Sequence, residues 1–498
     1  MAEIKQGGDQ FKSRWGLIAT ALGMAVGTGN IWRFPREVAS NNGGAFIIIV
    51  FIALFIWAVP LICAESVFGK KTRMANAGAF KVLLGDKWTW VGAWCGMVCI
   101  MVGCYYVVVL GWVIKYLVLI FTGFLTQVGS GGGAELTQQV WTDFATTPPA
   151  VQAWVFFVIG ILLIAAIILR GVQNGVEAAN KIMIPAIFVI LAVLLVRVLM
   201  LPNAWQGLEY MFHISGADFA NPKIWLAAFT QAAWSSGAGW GMFHVYFVYA
   251  AKDEDIMLNS FTVAFGDMAA AMLAGMVVLP AVFALAPDPI AVMKSGANGL
   301  TFVNLTNLFA NTAGGFVMAA LFFIALFSAA ASSVIGMMEL GCRNLMDMGF
   351  TRTKGTIYTT IVFIIVGSWS ALDNMIFENQ DMVWGVGLLM VGLLYAIAAL
   401  KYGVEKLWEE DIKPCSDMKV KWLWTVIKFF PIQFALVWGW WVYQSATWYP
   451  GEWFKFWPLQ KYPYTPGVMV VEWVLLAVIL ISLNGVMSKN LVHANKLD

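Results

Sequence analysis

Charge is what this sequence has least of. Asp, Glu, Lys and Arg make up 12% of its 498 residues, about half the share of a soluble domain. So thin a polar surface cannot solvate a chain of this length, and lipid must be the solvent for most of it. The net charge of +2 provides no basic field for nucleic acid. Histidine is confined to His213, His244 and His493. No HExxH, nucleophile elbow or Walker loop accompanies them, so nothing supports an enzyme. The six cysteines, Cys63, Cys95, Cys99, Cys104, Cys342 and Cys415, form no CxxC and no Cys/His metal spacing, and they imply no disulfide framework. Cys95 and Cys99, one helical turn apart, read as small packing residues.

Hydrophobic residues supply 60% of the chain, and the mean hydropathy is +0.77. A membrane span needs ~20 apolar residues. The runs predict about twelve spans: 14–39, 44–69, 88–124, 151–170, 176–200, 223–250, 257–286, 313–346, 356–373, 382–402, 421–446 and 467–488. The run from Trp15 is too long and too glycine-broken for a cleaved signal peptide, so it is expected to be a retained first span. Lys and Arg cluster in alternate loops, among them Lys70, Lys71, Arg73, Lys252, Arg352, Lys354 and Lys413. The stretches 125–150 and 374–381 contain neither residue. That asymmetry predicts an even number of spans with both termini cytoplasmic. The segment 291–312 is expected to be a short helix dipping toward a vestibule. The aromatics Trp440, Trp441, Tyr443, Trp448, Trp453 and Phe454 read as an interfacial belt.

Two spans carry glycine where a helix should be continuous. Gly23-Met24-Ala25-Val26-Gly27-Thr28-Gly29-Asn30 falls in the first, and Ser235-Ser236-Gly237-Ala238-Gly239-Trp240-Gly241 in the sixth. Dense glycine favours unwinding, and unwound backbone at bilayer depth survives only against protein or water. Its carbonyls can hold a cation and its amides an anion. Either run alone reads rather as close helix packing by small residues. Their placement at the start of two five-helix halves points instead to a transporter built on inverted repeats.

At these residues the sequence resembles the neurotransmitter:sodium symporter family. The match runs through Gly23–Phe46 (GMAVGTGNIWRFPREVASNNGGAF), Tyr105-Tyr106, Gln231, Lys252-Asp253-Glu254-Asp255-Ile256 and Ser332-Ser333, and covers nearly the whole chain. The resemblance implies an all-α polytopic fold: two inverted five-helix repeats with broken helices one and six, then two further helices. The implied division is 1–200 for spans one to five, 201–402 for spans six to ten, and 403–498 for the remainder.

The same resemblance implies site residues. A first sodium is expected on the Ala25 carbonyl, Asn30, Ser235 and Asp267. Oxygen-only donors suit a hard cation, and a carboxylate in an apolar span is a functional hypothesis in its own right. A second sodium would use Gly23, Val26, Ser328 and Ser332. Ala331 there lacks the side-chain oxygen of other members, which leaves a two-sodium stoichiometry open. Val50 and Ala271 replace chloride-site residues while Asp267 adds a fixed negative charge, so transport is expected to be independent of chloride. The substrate carboxylate is expected at the amides near Thr28 and Gly29 with the Tyr106 hydroxyl. Gly27, where amine carriers place Asp, favours amino acids. Met24, Val102, Val109, Trp234, Gly237, Trp240, Ser332 and Gly336 are expected to line the side-chain pocket, with Gly237 and Gly336 adding space. Arg33, Trp240 and Asp381 are expected to gate the outer side. The inner gate departs from the family at Gly8, Phe11 and Met346, and Lys5 and Asp347 are candidate substitutes.

The function implied is sodium-coupled import of a neutral, large apolar or aromatic amino acid by alternating access. Alternatives are another small zwitterion such as a methylated amine, proton coupling through Asp267, or a non-transporting receptor on the same scaffold. No disulfide-ready pair occupies the 125–150 loop and the termini are short, as in bacterial members. The expected location is therefore a bacterial cytoplasmic membrane, with lipid and a small substrate as the only expected partners and the oligomeric state undetermined.

Overall fold

A computed structural model describes residues 10–491. Among them, ten unbroken helices are long and apolar enough to cross a bilayer. They are Gly44–Thr72, Asp86–Phe121, Val151–Leu169, Val172–Leu199, Ile256–Leu285, Gly315–Asp347, Arg352–Leu372, Asn374–Tyr402, Lys421–Trp448 and Pro466–Asn490. These are spans two to five and seven to twelve. Span one is split into Arg14–Ala25 and a second piece resuming at Gly29 and running to Ser40. Span six is split into Pro222–Ser235 and Met242–Val248. The count of twelve and both breaks match the sequence reading.

Lipid and protein solvate different helices. In span eight 83% of the most apolar window is buried and in span three 72%, against 28% in span five and 17% in span eleven. The outer helices show lipid a stripe of side chains one turn apart. Ile357, Ile361, Ile365 and Trp369 of span nine are exposed in this way, as are Val189, Val193 and Val196 of span five. Spans one, three, six and eight meet at the centre, where both breaks lie.

Three expectations are corrected. Span ten begins at Asn374, eight residues before the predicted start, so 374–381 is helix and not loop. Its polar first turns are satisfied by protein: Asp373 caps the Met375 amide at 2.8 Å, and Asn379 donates to the Pro463 carbonyl at 2.6 Å. The 291–312 segment holds several short helices where one was expected, although it does reach the vestibule, with Ser295, Gly296, Asn298 and Gly299 on the cavity wall and Phe302 packed against Trp32, Trp112, Tyr116 and Trp141. Finally, the aromatic belt is divided. Tyr443, Trp448, Trp453 and Phe454 are exposed, whereas Trp441 donates to the Thr230 hydroxyl at 3.3 Å; Trp441 lines the central cavity, as does one side of Trp448.

Candidate functional site

The break in span one comes from diverted amides. In a continuous helix the amides of Gly27 and Thr28 would bond the carbonyls of Gly23 and Met24. Here the Gly27 amide donates to Asn30 Oδ1 at 2.9 Å and the Thr28 amide to the Tyr106 hydroxyl at 3.0 Å. The Met24 carbonyl accepts instead from Ser333 Oγ at 3.2 Å. Span six breaks for another reason. Gly237, Gly239 and Gly241 have φ of 67°, 84° and 79°, a region costly for other residues. Glu65 of span two, wholly buried, accepts the freed Gly239 amide at 2.6 Å, and Asn76 donates to the Gly241 carbonyl at 3.1 Å.

Asp267 of span seven ties the two breaks together. Its Oδ1 accepts from Asn30 Nδ2 at 2.6 Å and its Oδ2 from Ser235 Oγ at 2.9 Å. The Asn30 amide also donates to the Asp267 carbonyl at 3.0 Å. Asn30 and Asp267, both buried, and the half-buried Ser235 thus form one knot of oxygen donors, and Ala25 lines the cavity beside it. Hard oxygen donors with one carboxylate fit a sodium ion. In the second predicted set, Ser328 Oγ and Ser332 Oγ donate to the Ile324 and Ala329 carbonyls of their own helix at 2.9 and 3.1 Å. Gly23 and Val26 lie buried on span one, and Ala331 is buried beside Ser332 on span eight.

The cavity has a volume of about 800 Å³. It runs from Met24, Gly27, Thr28, Gly29, Tyr106, Ser235 and Gly237 at its floor to Ser295, Trp448 and Tyr464 at its mouth. Val109, Trp234 and Trp240 stand on its wall, but Val102, Ser332 and Gly336 do not. One residue along a helix is a rotation of about 100°, and this moves the hydroxyl on the wall from Ser332 to Ser333. Met337 joins it. Gly237 and Gly336 do not enlarge the pocket as expected. A Cβ on Gly237 would meet Met24 Cε at 2.6 Å, and one on Gly336 would meet Tyr246, Met242 and Met24 within 3.3 Å. Met24 therefore fills the space that both glycines leave. Trp234 packs edge-on to Trp240, with ring centroids 6.4 Å apart, and lies against Gly385 of span ten.

The two ends of the molecule differ. Arg33 and Asp381 both line the cavity, yet among the described residues no ion pair joins them. The nearest carboxylate to Arg33 is Glu37 at 3.8 Å, and its guanidinium lies 5.3 Å from the centre of the Trp234 ring. The path is open past the gate residues on that side. At the opposite end the chain is closed by ionic ties. Arg352 bonds Glu339 at 2.8 and 3.0 Å, and the Tyr249 hydroxyl donates to Glu339 at 2.6 Å. Asp347 accepts the Ala75 amide at 2.5 Å and pairs with Arg343 at 3.0 Å. Phe11 packs edge-on to Tyr246 and Tyr249. Lys5 and Gly8 lie outside the described residues. Sequence reasoning passed over Glu65 and Glu339, although a carboxylate within an apolar run was signal enough to find both.

Comparison with known proteins agrees with this architecture. The profile of the sodium:neurotransmitter symporter family matches residues 8–130 and 149–493. An uncharacterised sodium-dependent transporter of Methanocaldococcus jannaschii is 30% identical over 385 residues, 72% of this chain and 74% of that one. The mouse sodium-dependent neutral amino acid transporter B(0)AT3 is 29% identical over 267 residues, 48% of this chain and 42% of its own. The crystal structure of MhsT in complex with L-phenylalanine superposes with a TM-score of 0.76 at 28% identity, covering 86% of this chain and 99% of that chain. The chain belongs to the sodium:neurotransmitter symporter family and is a sodium-dependent membrane transporter.

Proposed function

We propose that this transporter is a sodium-coupled symporter that imports a large neutral amino acid, apolar or aromatic, without chloride. The observation that carries the reading is the meeting of the Thr28 amide and Tyr106 hydroxyl, 3.0 Å apart, beside the Asn30–Ser235–Asp267 knot. A half-helix begins at Gly29, and its amide end favours a carboxylate. A sodium at the knot would lie within reach of the same carboxylate and would couple the two ligands directly. Met24, Val109, Trp234, Trp240 and Met337 give the rest of the floor an apolar wall, suited to an aliphatic or aromatic side chain. A side chain on Gly27 would start 3.0 Å from both the Tyr106 and Ser333 hydroxyls, so the carboxylate of an amine carrier has no place there. Val50 is apolar and buried, and so is Ala271, one turn from Asp267 on the same face. Asp267 itself supplies the negative charge that would otherwise come from chloride. The basic loops lie at the ionic, closed end, which supports an outward-facing cavity and cytoplasmic termini in a bacterial inner membrane.

The test is thermal stability of the purified protein with L-phenylalanine, L-tryptophan, L-leucine and glycine betaine. Each is measured in sodium, potassium and choline chloride, and in sodium gluconate. A ligand at a hundredfold excess over its Kd raises stability by about 2.7 kcal/mol. An aromatic amino acid is expected to stabilise in both sodium salts and in neither of the others. Equal stabilisation in all cations would replace sodium coupling with proton coupling or a receptor role, and a need for chloride would overturn the chloride claim. A response to glycine betaine alone would move the substrate to methylated amines. Tyr106→Phe removes a hydrogen bond to a charged group, a loss of about 1.5–3 kcal/mol. The amino-acid Kd is then expected to rise roughly ten- to hundredfold, with a modest fall in the melting temperature of the free protein because the buried Thr28 amide loses its acceptor; an unaltered Kd would remove Tyr106 from the site.

A further inference from the structure

Asn180 sits about two turns into span five, wholly buried, between span one and span eight. Its Nδ2 donates to the Val176 carbonyl at 2.9 Å, one turn earlier. That bond orients the amide and leaves Oδ1 aimed at span one. A Cβ on Gly23 would lie 2.2 Å from Asn180 Oδ1 and 3.1 Å from Ser332 Cβ. The oxygen therefore occupies the crevice between Gly23 and Ser332, and among the described residues it has no hydrogen-bond partner. A buried amide oxygen without a partner is costly and uncommon. Beside it lie Gly23, the amide of whose usual helical partner Gly27 is bonded to Asn30, and the Ser332 side chain, whose proton is spent on the Ala329 carbonyl. Among these, the Asn180 oxygen has both lone pairs to spare and the Ser332 oxygen can still accept. The neighbouring Ala331 has no side-chain oxygen at all.

We propose that Asn180 is a cation ligand: its side-chain oxygen, delivered from span five, supplies the donor that Ala331 lacks and completes a second sodium site with Gly23 and Ser332. The inference rests on the sodium coupling proposed above. An amide oxygen is a hard donor of the kind alkali cations accept, and sodium would neutralise the acceptor cluster without a carboxylate. Because the ligand comes from span five, binding would tie three spans together instead of two.

The test is equilibrium binding of radioactive sodium to the full-length protein in detergent, with no amino acid present. The wild type is expected to bind two sodium ions per chain. Asp267→Ala should lose one and keep the other. Asn180→Leu, similar in size but without the oxygen, is expected to lose the other, its half-saturation rising at least about tenfold. Ala331→Thr placed in that variant should restore it by returning an oxygen from span eight. If Asn180→Leu does not fold, Asn180→Asp decides: a carboxylate in the same place should tighten the second site several-fold, and unchanged affinity would overturn the proposal. So would two sodium ions bound normally by Asn180→Leu, or a wild type that binds only the Asp267 ion. A wild type that binds no sodium would remove the functional reading itself.

Discussion

Replacing Asp267 with alanine is expected to abolish sodium-dependent uptake, a fall of at least about a hundredfold or 2.7 kcal/mol. The carboxylate accepts hydrogen bonds from Asn30 at 2.6 Å and Ser235 at 2.9 Å, and it is almost wholly buried. Bonds to a charged acceptor are worth about 1.5–3 kcal/mol each, and removing the acceptor leaves two buried donors unmet. The loss is thus twofold: the charge that would face the cation, and the strut that holds the break in span one against the break in span six. Asp267→Asn separates them. Its amide oxygen can accept from Asn30 while its amide nitrogen donates to the Ser235 oxygen, so the strut survives and only the charge goes. Its sodium half-saturation is expected to rise about tenfold, with a melting temperature close to that of the wild type. Sodium titration of uptake in proteoliposomes, alongside melting of each variant, gives both readings. Normal sodium dependence in a folded Asp267→Ala protein would remove this residue from the cation site, and loss of folding in both variants would assign it a structural role alone.

Much of this arrangement was legible in the sequence, for reasons that differ from residue to residue. The break in span six is written in glycine, since Gly237, Gly239 and Gly241 each adopt a positive φ. The break in span one is less direct: Gly27 and Thr28 are released because Asn30 and Tyr106 compete for their amides, and the Tyr106 bond joins residues 78 apart. Asp267 was conspicuous as a charge in an apolar run. Asn180 was not, because an amide near the end of a span looks like any other polar residue until its oxygen is found without a partner. The start of span ten was missed because Asn374–Asp381 is too polar to resemble a membrane helix. Its side chains turn inward to Pro463 and Glu472 and not to lipid. The exchange of Ser332 for Ser333 on the pocket wall is a question of rotation about a helix axis, which spacing alone fixes no better than one residue.

The ionic tie at the closed end should make Arg352→Met one of the most damaging single changes outside the cation site. Arg352 of span nine holds Glu339 of span eight through two bonds, and the Tyr249 hydroxyl just beyond span six bonds the same carboxylate. Glu339 is fully buried and only 14% of the Arg352 side chain is exposed. A buried ion pair gains little over two apolar residues, but removing one partner strands the other and costs about 3–5 kcal/mol. Arg352→Met is therefore expected to lower the melting temperature sharply. Adding Glu339→Gln should recover most of that loss, because a neutral amide at 339 can still accept from Tyr249 and strands no charge. The non-additivity is the diagnostic quantity. Two independent, additive losses would mean that the pair is not coupled in the folded protein. Recovery of stability without recovery of uptake would mean that the charges themselves are needed for the closed end to re-form in each transport cycle, since a neutral pair would pack the three spans but no longer draw them back together after they part.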